Sequence, residues 1–236
     1  MCGRYVSPTE ADMERYWKLT DAQIRNPLAQ RFNVSPTTPV PSVFLENGAA
    51  VIDRARWGLV PIWWKQPKLP PFTFNARIEE AATKPMWREP LKNSRCLVPA
   101  MGWYEWKEAE QIDPATGEVK KVKQPYFLHL PEKKLIHFAG LMSRRHAENE
   151  QGYELSCSIM TKEAIGPAAQ VHTRMPVILA DDCRGWLDRR LSDSETVLAF
   201  AEEKAVSAVE FHPVSTRVNY SKNEGAELLE PFPNSA

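Results

Sequence analysis

Twenty prolines against ten glycines, in a chain of 236 residues, set the terms on which this sequence can fold. Proline locks φ, lacks the amide proton that a helix or a central strand uses, and restrains the residue before it. Many rigid, irregular connections are therefore expected. The densest is GLVPIWWKQPKLPP at 58–71, where Pro61, Pro67, Pro70 and Pro71 exclude regular structure. Around these breaks the apolar pattern predicts short elements. Ser7 caps a helix with Pro8 at its first position, running to about Lys18. Pro41–Leu45 and Ala50–Trp57 form two strands across an Asn47-Gly48 turn. Short helices are expected at Ile78–Thr83 and Met86–Asn93. Cys96–Lys107 reads as one strand, interrupted near Pro99 and Gly102, and Asp113–Gly117 as a turn. Further strands are placed at Tyr126–Leu130, Leu135–Leu141, Leu155–Met160 and Ser207–Pro213. Helices are placed at Glu163–Gln170, Asp181–Arg190 and Ser194–Lys204.

Strands and helices mix without a β-α-β rhythm, which disfavours a doubly wound parallel sheet. The expected class is α+β, with a mostly antiparallel, barrel-like sheet and flanking helices. With no repeat and no long linker, residues 1–236 read as a single domain ending in a disordered tail at 232–236.

Hydrophobic residues at 43% and charged residues at 25% are ordinary for a globular protein and exclude general disorder. No apolar run approaches the roughly 18 residues of a membrane span. The N-terminus lacks the basic and apolar regions of a signal peptide. A cytoplasmic protein is expected, nucleoid-associated if bacterial, acting as a monomer away from membranes. Cys2, Cys96, Cys157 and Cys183 are too scattered for a disulfide scaffold, and the absence of a C-x-x-C pair argues against structural zinc. Net charge is zero, yet residues 1–107 hold 15 Lys/Arg and only 10 Asp/Glu. Such segregation can present a basic face on a neutral protein.

Cys2 carries the sharpest chemical signal. Methionine before a residue as small as cysteine is usually removed. The new N-terminus then holds an α-amine and a thiol on neighbouring carbons. The amine titrates near ~7.7–8.0, so a useful fraction is neutral at physiological pH. A neutral amine attacks an aldehyde to give an imine, and the thiol closes a five-membered thiazolidine. No internal cysteine can do this. The same residue also suits an N-terminal-nucleophile thiol peptidase or amidohydrolase.

Other residues qualify on type and setting. Glu105 lies among Trp103, Tyr104 and Trp106, and strand alternation puts it on the face of Trp103. Burial there raises a carboxyl pKa toward the range useful for proton transfer. His172 has the ring type that titrates nearest neutrality, and Asn75 offers both donors and an acceptor. Arg4, Arg77 and Arg174 lie next to these residues in sequence and suit DNA phosphates. Trp63 and Trp64 either stack on bases or plug the core beneath their loop. Asn33 and Pro36 sit in a rigid loop able to wedge against a duplex end. Cys96 and Cys157 read as core.

The ordered set of motifs is more specific than any member: Cys2-Gly3-Arg4-Tyr5, Arg31-Phe32-Asn33-Val34-Ser35-Pro36, Arg56-Trp57-Gly58-Leu59-Val60-Pro61, Phe74-Asn75-Ala76-Arg77-Ile78-Glu79, Gly102-Trp103-Tyr104-Glu105-Trp106, His172-Thr173-Arg174-Met175-Pro176 and Asn223-Glu224-Gly225-Ala226-Glu227-Leu228. From Cys2 to about Pro231 the chain resembles the SRAP (SOS-response-associated-peptidase) family, which includes proteins that shield abasic sites in single-stranded DNA. The resemblance implies one compact α+β domain and autoprocessing that exposes Cys2. It further implies a thiazolidine link to the open-ring aldehyde of an abasic site, with reversal or weak β-elimination lyase activity. Its catalytic set falls on Cys2, Asn75, Glu105 and His172. The implied partner is single-stranded DNA containing abasic sites, with no metal or organic cofactor. A non-catalytic nucleic-acid-binding module, using the arginines and tryptophans alone, is the third reading.

Overall fold

The computed structural model describes residues 2–19, 23–112, 118–147, 152–179 and 183–232. The expected Asp113–Gly117 turn, and residues 233–236 of the expected tail, lie outside them. Phe232 is held, its amide donating to Pro213 O at 2.8 Å.

The chain opens with β1 (Tyr5–Val6) and α1 (Glu10–Trp17), followed by the hairpin β2 (Pro39–Glu46) and β3 (Ala49–Trp57). Asn47 and Gly48 both take positive φ, 52° and 79°, as a tight hairpin turn of this twist demands. After the proline-rich loop come β4 (Asn75–Arg77), α2 (Ile78–Ala81), α3 (Arg88–Asn93), β5 (Arg95–Ala100) and β6 (Gly102–Ile112). Then follow β7 (Val119–His129), β8 (Ile136–His146), β9 (Tyr153–Glu163), β10 (Arg174–Pro176), β11 (Ile178–Leu179), α4 (Ser194–Glu203) and β12 (Glu210–Pro213).

Five strands close on themselves in the order β9-β3-β2-β5-β8, with β8 pairing back to β9. All these pairings are antiparallel except β3 with β9, where Arg56 lies opposite Ser156. β4 also runs parallel to β9, Asn75 opposite Ile159. A second, antiparallel sheet runs β1-β6-β7-β12.

The barrel interior is filled edge-on by large rings. Tyr5 stands 5.4 Å from Trp57 and 6.0 Å from Phe138, and Trp103 6.2 Å from Phe138. Cys2, Cys96 and Cys157 share this core. Outside the barrel, α1, α3, α4 and the 3-10 turn Cys183–Leu187 bury Trp17, Leu91, Val197 and Trp186 against β5 and β8. Covered on both sides, β8 is buried from Ile136 to Ser143. Arg95 knits this layer together, its guanidinium donating to the carbonyls of Leu91, Trp186, Asp188 and Leu191 at 2.6–2.8 Å.

Four local expectations are corrected. Thr9, not Ser7, caps α1, in a reciprocal capping box with Asp12. Ser7 instead accepts the Arg31 amide at 2.8 Å, because β1 continues into pairing with that loop. Cys96–Lys107 is two strands in different sheets, with Met101 between them. Gly102 makes this corner possible, since a Cβ there would overlap Leu128 O. The helices expected at Glu163–Gln170 and Asp181–Arg190 are single 3-10 turns at Gly166–Gln170 and Cys183–Leu187 among the described residues. β9 runs on to Glu163 and takes the start of the first.

Candidate active site

The first residues of the chain enter the core rather than trailing outside it. Tyr5 exchanges backbone hydrogen bonds with Val34, and Arg4 O accepts from Tyr104 N at 2.9 Å. These bonds bring Cys2 to the mouth of the barrel beside β4 and β6. In the chain that still carries Met1, Cys2 is fully buried. Burial, and then the nearby Glu105 carboxyl, push its thiol well above the ordinary range.

Three further residues converge there from separate elements. Asn75, at the start of β4, donates from Nδ2 to Cys2 O at 2.7 Å. Its Oδ1 is buried without a hydrogen-bond partner among the described residues. Glu105, on β6, is 2% exposed, and burial lifts its carboxyl to about 7. His172 follows the 3-10 turn Gly166–Gln170, with its Nε2 3.9 Å from Glu105 Oε2. The Arg174 amide donates to His172 Nδ1 at 2.9 Å. Nδ1 is thus the acceptor, which leaves the ring proton on Nε2, facing Glu105. Burial holds the imidazole below its ordinary value, so the ring is neutral near pH 7. Glu105, His172, Trp106, Lys123 and Asn219 line an open cleft of about 440 Å³. The chemistry available is a buried thiol residue that becomes an aminothiol when Met1 is removed, an amide that fixes its backbone, and a carboxyl able both to give and to take a proton near neutrality.

The binding candidates divide. Trp63 is 54% exposed and Trp64 half-buried, so neither is a core plug. Their rings lie 5.9 Å apart, and Trp64 is held by its indole N–H on Lys68 O at 3.0 Å. Arg77 is exposed beside the site and, among the described residues, its ion pairing is a loose 3.9 Å contact to Glu80. Pro36 is half-buried at a turn whose next residue, Thr37, has φ 73°. Arg174 forms a two-pronged ion pair with Glu79 at 2.7 and 3.0 Å, and also donates to Thr161 O. Arg4 reaches Asn33 Oδ1 at 2.7 Å and Val218 O at 2.8 Å. Asn33 is buried, and its Nδ2 donates to Val218, Tyr220 and Asn223 carbonyls. Arg4 and Asn33 therefore clamp the C-terminal segment against the first strand.

Lys123 and Asn219 were missed from sequence. Lys123 lies in a polar stretch of β7 with nothing local to single it out. Asn219 is placed only by the fold, where its Oδ1 accepts from Trp106 Nε1 at 2.7 Å.

Comparison with known proteins places the chain in a family. The profile of the family described as SOS response associated peptidase (SRAP) matches residues 1–221. The chain is 31% identical to the abasic site processing protein YedK of Escherichia coli, over 98% of this chain and the whole of that one. It is 30% identical to the abasic site processing protein YoqW of Bacillus subtilis, covering 98% and 99%. With the abasic site processing protein HMCES of Rattus norvegicus it is 30% identical, over 98% of this chain and 76% of the relative. Among solved structures, a phage-related protein from Bordetella bronchiseptica superposes with a TM-score of 0.66 at 26% identity, covering 91% and 95%. A protein from Bacteroides thetaiotaomicron, at 20% identity, shares the fold with a TM-score of 0.68 over 96% and 92%. On the profile match, the full-length relatives and the shared fold, the chain belongs to the SOS response associated peptidase family.

Proposed function

We propose that this protein captures abasic sites in single-stranded DNA as a covalent thiazolidine on Cys2, once Met1 has been removed. The observation that carries the reading is the clustering of Cys2 and Asn75 beside Glu105 and His172, the last two of which line the cleft, with the Glu105 carboxyl poised at about 7. The relatives' shared description as abasic site processing proteins supports it.

The steps follow from the groups present. The neutral Cys2 amine attacks C1′ of the ring-opened sugar and gives a carbinolamine. Its hydroxyl leaves as water, taking a proton, and an imine forms. The thiol sulfur then adds to the imine carbon while its proton passes to nitrogen. Amine, thiol and aldehyde have become one ring and one water. Proton transfers occur at each stage, and a carboxyl near 7 serves as donor and acceptor in turn. Asn75 holds the Cys2 carbonyl, and its free Oδ1 is an acceptor for the amine. His172 offers its Nε2 proton to the sugar oxygen as the ring opens. Trp63 stacks on a base, Pro36 buttresses the strand beside it, and Arg77 meets a phosphate.

The test is denaturing electrophoresis of the Met1-free protein with abasic and intact single strands. A band that survives denaturation should form with abasic DNA alone, and Cys2→Ala should abolish it. An alanine variant that crosslinks as durably as wild type excludes the thiazolidine.

A further inference from the structure

A second cavity, about 450 Å³, lies behind the proline-rich loop and shares no lining residue with the Glu105–His172 cleft. Its wall is basic. Arg54 and Arg56 sit two apart on β3 and so share a face. Arg145 joins them from β8, across β9. One carboxylate, Glu154, stands in the same wall opposite Arg145 in the strand register. Among the described residues, no ion pair forms between any of the three guanidiniums and a carboxylate. Arg56 is half-buried and donates to Gly58 O, a neutral acceptor, at 2.6 Å. Like charges gathered around one hollow repel each other, and the arrangement is relieved when an anion enters. Leu69 and Tyr153 add apolar wall beside the arginines.

The cavity's position names the anion's carrier. Thr37, which lines it, directly follows Pro36. Val60 and Leu69, which also line it, bracket the loop of Trp63 and Trp64. On β9, Ser156 opposite Arg56 and Ile159 opposite Asn75 are three residues apart. Three residues of strand span roughly 10 Å, and their odd separation puts the two places on opposite faces of β9, so a DNA strand joining them rounds the barrel wall over more than about three nucleotides.

We propose that this cavity binds backbone phosphate of the DNA strand leaving the lesion cleft past Pro36 and the Trp63–Trp64 loop, so that the strand is gripped at two separate places. This rests on the reading of the cleft as a DNA site, and the test separates the two claims.

The full chain carrying Arg54→Gln and Arg145→Gln is compared with wild type, leaving Arg56 in place to hold Gly58. Binding is measured across salt concentrations for two intact oligonucleotides, one long enough only for the cleft and one extending past the loop. For the long strand, the double variant should lower the log–log salt slope by about 0.7 per lost phosphate, or about 1.4. At ~0.1 M salt that corresponds to an affinity loss of roughly 25-fold. Binding of the short strand, and crosslinking of a short abasic strand, should match wild type. Arg54→Lys with Arg145→Lys should restore the slope. An unchanged long-strand slope and affinity overturns the proposal. So does binding of thymidine 5′-monophosphate that the double variant loses while its long-strand slope stays normal, since the anion would then be a free nucleotide. Failure of wild type to crosslink the short abasic strand would instead overturn the reading of the cleft.

Discussion

Glu105→Gln is a change of one atom type at a site where burial dominates, and its consequences can be worked out in sign and size. The carboxyl is 2% exposed and lifted from 4.5 to about 7. Each tenfold in proton affinity is about 1.4 kcal/mol, so ionising this group costs roughly 3 kcal/mol more in the folded chain than in the unfolded one. Since the folded value lies above the unfolded one, the folded chain holds this proton more tightly. The stability it contributes is fully present below about 4.5 and is lost as pH rises through about 7. Glutamine keeps the shape and has no proton to lose. On the chain retaining Met1, where no covalent chemistry intervenes, the variant's advantage over wild type should grow from near zero at about pH 4 to roughly 3 kcal/mol by about pH 8. For a chain of this size that is a gain of about 6–12 °C in melting temperature. Thermal melts of both proteins across that pH range measure it. Parallel curves would show that the carboxyl is not held near neutrality. On the Met1-free chain the same substitution should slow adduct formation about 10²–10⁴-fold, and by microscopic reversibility its release as well. A variant more stable at high pH yet slower in both directions is the signature of a group retained for chemistry at a cost in stability. Unaltered rates in both directions would make Glu105 only a strand residue beside a tryptophan.

Other substitutions separate binding from scaffolding. Trp63→Ala should weaken single-strand binding by about 1–3 kcal/mol with an unchanged salt slope, because stacking releases few ions. Fluorescence anisotropy across salt concentrations checks it, and a changed slope would mean that the indole is not a stacking platform. Arg77→Ala should lower the slope by about 0.7, and an unchanged slope would remove Arg77 from the phosphate track. Asn33→Ala strips the donor from the Val218, Tyr220 and Asn223 carbonyls and the acceptor from Arg4, at a cost of about 1–3 kcal/mol. Urea unfolding measures this, and unaltered stability would show that the clamp does not hold the C-terminal segment.

What could be read from sequence was local or carried by whole motifs. The Asn47-Gly48 hairpin, the irregular 58–71 loop and the short helices near 78 and 88 follow from turn chemistry and proline alone. Thr9 and Ser7 compete for the same cap, and only the pairing of Ser7 with Arg31 decides between them. The split of β5 from β6 turns on the contact of Gly102 with Leu128, 26 positions away in sequence. The parallel seam of β3 with β9, which closes the barrel, joins residues about a hundred positions apart and has no local signature. For the site, Cys2, Asn75, Glu105 and His172 were visible as motif residues, and alternation set Glu105 on the face of Trp103, but its burial came only with the fold, which covers Tyr104 on the other face as well. Lys123, Asn219 and the trio Arg54, Arg56 and Arg145 acquire meaning only from the fold that brings them together. Arg4 and Asn33, residue types suited to DNA, also serve the fold by holding the carbonyls of the C-terminal segment.

The central claim is a specific bond at a specific residue, and intact mass measurement of the conjugate addresses it directly. Met1-free protein incubated with an abasic oligonucleotide, without any hydride reductant, should yield a species at the sum of the two masses less one water. Proteolysis should place the DNA remnant on the Cys2 amine and sulfur together. Cys2→Ala should leave no species that survives denaturation unless borohydride is added to trap an imine. An adduct mapped to a lysine, or one on Cys2 that retains the water, would contradict the account.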